Sequence, residues 1–438
     1  MTKKGYVMEK VKLILIGAGG RGTKYVKEGA ANCPEMELVA VADPNPVRRN
    51  HIKEKFNLPE ECCYEWGEDI LKLPKMADAA IIATQDQNHY ELAMMAIEKG
   101  YHLLLEKPIS PSPEECLAIS EAANAKGVQV VVCHVLRYTP FFMTVKKIID
   151  DGMIGKVKNV VHVEGVGDLH YSHSYVRGDW HKTADSSPMI LAKSCHDIDI
   201  IQWLVGEKCT KVQSFGSLTY FCKDNKPEGA PEFCIQGCPH EEECPYSAIK
   251  LSRNRQVAWF ACHATKRHSP TKEDIEKLIR ETNYGRCVFQ GDNDVVDQQV
   301  VNLEYESGAT ASFTMSAFNQ GGRVIRIMGT KGELEGRMDA DHVTVYNFST
   351  HKTEKIYINS FSADESIAGG HGGGDAGIIR AFCQLMLGKY EGKSFANIDT
   401  SAENHLATFA AEESRLTDRV VFMDEYRENI HRAVNEKN

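Results

Sequence analysis

The chain has 438 residues, of which 42% are hydrophobic, 26% charged and 8% aromatic, with a formal net charge of −10. At about 100–200 residues per domain this predicts two or three domains, each able to bury a core without a disulfide or metal staple. The anionic balance, with no block of Lys and Arg, argues against nucleic acid or anionic lipid as partners, and no apolar run approaches the roughly 18 residues of a membrane span.

Basic residues precede the apolar run 11–16, but that run is short and enters a glycine-rich turn, so it reads as a strand rather than a signal peptide. Fourteen cysteines without an export signal predict reduced thiols and a cytoplasmic location. Residues 20–31 then read as a helix, 37–42 as the second strand, 79–83 as another strand, and 88–99 as a helix stopping at Gly100. A strand over 102–105 runs into Glu106-Lys107-Pro108, a helix covers 112–126, and 128–133 is a further strand. Continuous apolar strands alternating with helices predict an α/β, doubly wound parallel sheet covered on both faces.

The pattern changes near Arg137. Strands are expected over 158–166, 211–221, 295–305, 309–318, 323–328, 343–348 and 355–358, separated in places by hairpin-like turns at Glu306-Ser307-Gly308, Gly321-Gly322 and Lys331-Gly332. Helices interrupt them over 194–205, 272–281, 377–387 and 402–416. The division is therefore an N-terminal domain over 1–137 and a C-terminal α/β domain over 138–438 with a large mixed or antiparallel sheet. Residues 222–270 form an irregular insert rich in Cys, Pro and His, and a loop that long usually has a function or a staple.

Gly17-Ala18-Gly19-Gly20-Arg21-Gly22 fits G-x-G-x-x-G between a strand and a helix, and Asp43 ends the next strand about twenty residues on, where an acid binds ribose hydroxyls. The helix start offers free N–H groups to a pyrophosphate. A carboxylate at position 43 repels a 2′-phosphate and so favours NAD over NADP, with Arg48 close enough in sequence to weaken that preference.

With this turn, Ala83-Thr84 followed by His89, Glu106-Lys107-Pro108 and Arg137-Tyr138, the chain resembles the Gfo/Idh/MocA oxidoreductases over nearly its whole length, most strongly over 11–206. The resemblance implies a Rossmann domain followed by an α/β domain whose open sheet builds a homo-oligomer, dimer or tetramer. It also implies a sugar or cyclitol substrate bound between the domains at the nicotinamide. Gly17, Gly19, Gly20, Arg21, Gly22, Asp43, Thr84, His89, Glu106, Lys107 and Arg137 are then the expected cofactor residues. Lys107 corresponds to the family's active-site lysine, which hydrogen-bonds the reacting oxygen and helps move its proton.

Cys195-His196-Asp197 opens the helix 194–205, and His196 matches the family's second catalytic position. The family commonly carries an Asp four residues earlier. Here that place is Ala192, followed by Lys193, so the usual relay is not assumed and Lys193 is the candidate second polar contact. His173, Arg177 and Trp180 lie in a loop with the aromatic faces and polar forks that carbohydrate binding needs. His371 sits within Gly369–Asp375, where glycines permit close backbone approach to a ligand, and the loop resembles one in the NAD-dependent glycosidase branch.

Cys234-x3-Cys238-x5-Cys244 has the short thiolate spacing of a structural zinc site, with Cys222, His240, Cys262 and His263 as alternatives for the fourth ligand. The functional expectation is an NAD(P)-dependent dehydrogenase acting on a ring CH–OH. Its rivals are a redox-neutral glycosidase that oxidises and eliminates, and a non-enzymatic nucleotide sensor.

Overall fold

A computed structural model describes residues 10–253, 262, 264–265, 270–358, 370–392 and 395–437. They divide into two compact units, one drawn from Met1–Met143, Phe361–Glu403 and Ala433–Asn438, the other from Thr144–Ser360 and Asn404–Arg432.

The first unit contains strands β1 (Val11–Ile16), β2 (Met36–Ala42), β3 (Cys63–Tyr64), β4 (Ala79–Ile82), β5 (His102–Leu105) and β6 (Val130–Val132), in the order β3-β2-β1-β4-β5-β6. Every pairing is parallel. This is the doubly wound order in which the chain reverses direction beside β1, leaving a crevice at the carboxyl ends of β1 and β4. Leu13, Leu15, Ile81, Leu104 and Val131 are buried in one core, as both-face coverage requires. The helix Gly374–Met386 also belongs to this unit: Ile378, Ile379, Phe382 and Cys383 join Tyr25 and Val26 in the same core. A cut at residue 137 in the sequence gives no sign of that return.

The second unit is built on β7 (Val157–Gly165), β8 (Cys209–Ser217), β9 (Gln298–Tyr305), β10 (Thr310–Ser316), β11 (Gly322–Gly329), β12 (Gly332–Arg337), β13 (His342–Asn347), β14 (Lys352–Tyr357) and β15 (Val421–Phe422). They form one mixed sheet, ordered β14-β13-β12-β11-β7-β10-β9-β8-β15. β7 and β10 are parallel, and the other pairs are antiparallel. The turns at Ser307-Gly308 and Lys331-Gly332 close hairpins. The turn at Gly321-Gly322 does not, because β10 and β11 lie on opposite sides of β7. β12, Gly-Glu-Leu-Glu-Gly-Arg, escaped the sequence reading because Leu334 is its one large apolar residue.

Between β8 and β9 the chain is irregular. The helix Lys272–Glu281 starts on a capping box in which Thr271 and Asp274 bond each other's backbone N–H, the expected start signal. Among the described residues no helix is long and apolar enough to cross a membrane.

Candidate active site and cofactor cradle

The glycine turn is shaped by close approach. Gly17 has φ +92°, and a Cβ there would stand 2.4 Å from the Ala83 carbonyl oxygen. A Cβ on Gly22 would stand 2.0 Å from the Gly17 carbonyl oxygen, whereas Gly20 faces open space. The helix Gly20–Asn32 has Gly19 at its N-cap and no side-chain cap, so its first N–H groups remain available to an anion. Asp43 is buried. Its Oδ2 accepts from the Ala18 N–H at 2.7 Å and its Oδ1 from the Asn45 N–H at 2.8 Å. The carboxylate is thereby fixed at the end of β2 with lone pairs to spare for hydroxyl donors. Arg48 reaches the same turn, its NH1 standing 3.7 Å from where a Gly19 Cβ would be. These residues fit a dinucleotide: Gly17 and Gly22 permit the tight turn and its close packing, Gly19 and Gly20 leave backbone room for the pyrophosphate, and Asp43 suits the ribose.

Glu106, at the end of β5, is buried in a network of its own. Its Oε1 accepts from Arg21 Nε at 2.8 Å and from the Tyr25 hydroxyl at 2.5 Å, and its Oε2 accepts from the Lys107 N–H at 2.8 Å. Arg21 NH2 also reaches Asp375 Oδ1 at 2.6 Å. Burial pushes the Glu106 carboxyl up, but Arg21 foremost, then Lys107 and the hydrogen bonds, hold it below its ordinary value. Arg21 is therefore committed to two carboxylates rather than presented to a phosphate.

Two other expected cofactor residues are also structural. His89 is fully buried, and its Nδ1 bonds the Pro108 carbonyl at 2.7 Å, so the ring braces the turn after Lys107. Arg137 is 2% exposed, with NH1 3.4 Å from the Phe395 carbonyl. Thr84 stays partly exposed beyond β4, and Lys107 is half-buried beyond β5; both lie at carboxyl ends of parallel strands.

The second unit carries a buried ion cluster. The antiparallel register sets Glu164 of β7 directly opposite Arg323 of β11. Arg323 Nε lies 2.8 Å from both Glu164 Oε2 and Asp197 Oδ1 and gives its hydrogen bond to Asp197, which also accepts from NH2 at 3.2 Å. His162 Nε2 is 2.8 Å from Asp197 Oδ1, and Lys193 Nζ is 3.2 Å from Glu164 Oε1. Burial raises the Asp197 carboxyl, but Arg323 and the hydrogen bond with His162 outweigh it and hold Asp197 well below the usual carboxylate range. Glu164 is held above its ordinary value by burial, with Arg323 and Lys193 opposing. His196, in the first turn of the helix Cys195–Val205, is buried but retains 8% exposure. Glu164, from the sheet, pairs with Lys193, which immediately precedes the His196 helix in sequence. The sequence reading missed Glu164, His162 and Arg323. The available signal was the polar His162 and Glu164 at alternate positions of a strand.

Other expected residues are redistributed. His173 packs on Tyr284, ring centroids 4.6 Å apart, and Trp180 remains half-buried. Arg177, expected to face substrate, is instead buried and bonded to the carbonyls of Arg286 and Tyr246. The side chain of His371 lies outside the described residues. Gly374, three residues on, has a packing reason: a Cβ there would stand 2.3 Å from the Val135 carbonyl oxygen, which backbone cannot yield cheaply. Among the described residues no three His, Cys, Asp or Glu side chains gather as ligands of one metal ion, so the zinc expectation for Cys234, Cys238 and Cys244 finds no support. His263 lies outside the described residues.

A glycine-turn cradle on a doubly wound sheet, followed by a mixed-sheet unit, defines an NAD(P)-binding oxidoreductase. Family models agree. Residues 11–134 match the oxidoreductase family's NAD-binding Rossmann fold and residues 146–384 its C-terminal α/β domain; the chain belongs to the Gfo/Idh/MocA family. It is 26% identical over 370 residues to YteT of Bacillus subtilis (strain 168), an oxidoreductase by description, covering 81% of this chain and 82% of that protein. It is 28% identical over 215 residues to scyllo-inositol 2-dehydrogenase (NAD(+)) of the same organism, a match covering 48% of this chain and 58% of the relative. The fold is shared with an oxidoreductase domain protein from Kribbella flavida, with TM-score 0.70, 16% identity, and coverage of 95% of this chain and 100% of that one. It is shared too with an Agrobacterium radiobacter oxidoreductase solved with NAD+, L-tartaric acid and magnesium, with TM-score 0.67, 15% identity, and coverage of 95% and 99%.

Proposed function

We propose that this chain is an NAD-dependent dehydrogenase oxidising a ring hydroxyl of a cyclitol, sugar or sugar derivative. The observation that carries the reading is the buried Glu164–Arg323–Asp197 cluster, which holds Lys193 beside the start of the His196 helix. Two adjacent groups able to donate to hydroxyls and exchange a proton suit a polyol. The similarity to an inositol dehydrogenase supports the same substrate class. Asp43 supports NAD over NADP, with Arg48 moderating the preference.

When bound, the nicotinamide supplies a hydride acceptor. Gly19, Gly20 and the first N–H groups of the helix Gly20–Asn32 would hold its pyrophosphate on the turn that Gly17 and Gly22 permit, Asp43 would hold its ribose, and Thr84 would border it. In the second unit His196 would take the hydroxyl proton as the carbinol carbon becomes a carbonyl, and Lys193, His173 and Trp180 would recognise the remaining hydroxyls and the ring face; Lys107 of the first unit would keep the role of the family's lysine, a hydrogen bond to the reacting oxygen. His371 is retained as a sugar contact.

Incubating the chain with NAD and a panel of inositols, free sugars and aryl glycosides tests this. Growth of NADH absorbance with a polyol or free sugar is expected. Aglycone release without net NADH would overturn the dehydrogenase in favour of the redox-neutral glycosidase. That rival rests on the His371 loop, and no observation of the structure favours it. We further propose a homo-oligomer assembled through the exposed face of the second sheet.

A further inference from the structure

The insert of the second unit contains a group of residues that dehydrogenase chemistry does not use. Arg177 is 3% exposed. Its Nε and NH2 donate to the carbonyls of Arg286 and Tyr246, each at 2.7 Å, and NH2 lies 3.8 Å from Cys234 Sγ. Its NH1 is buried with no partner. No carboxylate among the described residues lies within ion-pair distance of it, although Glu241 borders the same cavity. A buried guanidinium in this state calls for an anionic partner. The rest of that cavity's wall includes Cys234, Cys238, Cys244 and Cys287.

The local fold brings the four thiols together. Cys234 opens the turn Cys234–Gln236, and Gly237, at φ +83°, redirects the chain to Cys238. The Cys244 N–H closes a turn on the His240 carbonyl at 2.9 Å. Cys287 arrives through the pairing of Phe233 with Arg286, its N–H donating to the Glu232 carbonyl at 2.8 Å.

No three of these sulfurs converge on a point as a single tetrahedral ion demands; they surround a cavity instead. That arrangement matches a cluster, which spreads four thiolates over more than one iron. Among the described residues the insert's own apolar cluster is small, with Cys234, Ala248 and Ile279 buried in it, a core that a staple would reinforce.

We infer that Cys234, Cys238, Cys244 and Cys287 hold an iron–sulfur cluster that staples the insert, its negative charge offset by Arg177. The test is full-length protein purified anaerobically and incubated with ferric iron, ferrous iron and sulfide, the ferric iron supplying the oxidising equivalents of the cluster. Iron and acid-labile sulfide are expected in equal amounts, with broad visible absorption that dithionite bleaches. Cys287→Ser and Cys238→Ser are expected to lose both, whereas Cys222→Ser, outside the cavity, keeps them, with NADH binding as the folding control. Parent protein that takes up neither element, a single zinc that excludes iron, or unchanged iron in Cys287→Ser would overturn the assignment.

Discussion

Asp43 and Glu106 are both carboxylates at the ends of parallel strands, yet their surroundings give them different work. Asp43 accepts two backbone N–H bonds and keeps lone pairs for a ribose. Losing two hydroxyl hydrogen bonds, each worth about 1 kcal/mol net, should raise KM for NAD by roughly tenfold or more in Asp43→Ser while improving NADP, read from steady-state kinetics with both cofactors. Glu106 instead serves the fold. A carboxyl held below its ordinary value in the folded chain contributes stability above its unfolded value of about 4.3, and loses it as pH falls through the folded value. Glu106→Gln should therefore lower the thermal midpoint at neutral pH, and its gap from the parent should close as pH drops below about 4, measured by calorimetry. A gap independent of pH would assign the loss to packing alone. The glycine motif and Asp43 were legible because a turn and a strand end are local. That Arg21, His89 and Arg137 brace the scaffold was not, since each partner lies far along the chain, from Glu106 and Asp375 to Pro108 and Phe395.

Among the elements, the helix Gly374–Met386 shows how a sequence feature changes meaning once packed. Glycines around His371 read as room for a ligand. Gly374 and Gly377 are instead where the helix approaches Val135 and Tyr138 too closely for a side chain. Gly374→Ala should cost about 1–3 kcal/mol through overpacking, seen as a lower denaturation midpoint with unchanged slope. Strand β7 departs from its pattern in the opposite sense. Val160, His162 and Glu164 face inward while Val161 and Val163 face out, so hydrophobicity alone would turn the strand over. The inward polar groups are tolerated because Arg323, Asp197 and Lys193 satisfy them.

At the scale of the whole molecule, the outward face of the second sheet presents Phe215, Val300, Thr314, Val163 and Val324 in one row across five neighbouring strands. Phe215 is 54% exposed. An apolar row on a broad sheet face fits self-association, and Phe215→Lys should reduce the mass seen by light scattering from oligomer to monomer while leaving the thermal midpoint of the chain largely unchanged. A monomeric parent would overturn the proposed assembly.

The sequence by itself determined the doubly wound sheet, the glycine turn with its acid, the change of architecture after the first domain and the oxidoreductase family. Each is written in short-range periodicity and in residues whose backbone demands are local. Only the tertiary structure decided that Glu164 pairs with Lys193, that Arg177 borders a cavity lined by four cysteines, and that Cys287 joins three thiols more than forty residues upstream. Those pairings depend on strand register and on the matching of buried charges, which fix residues far apart in sequence and leave no periodic trace along the chain.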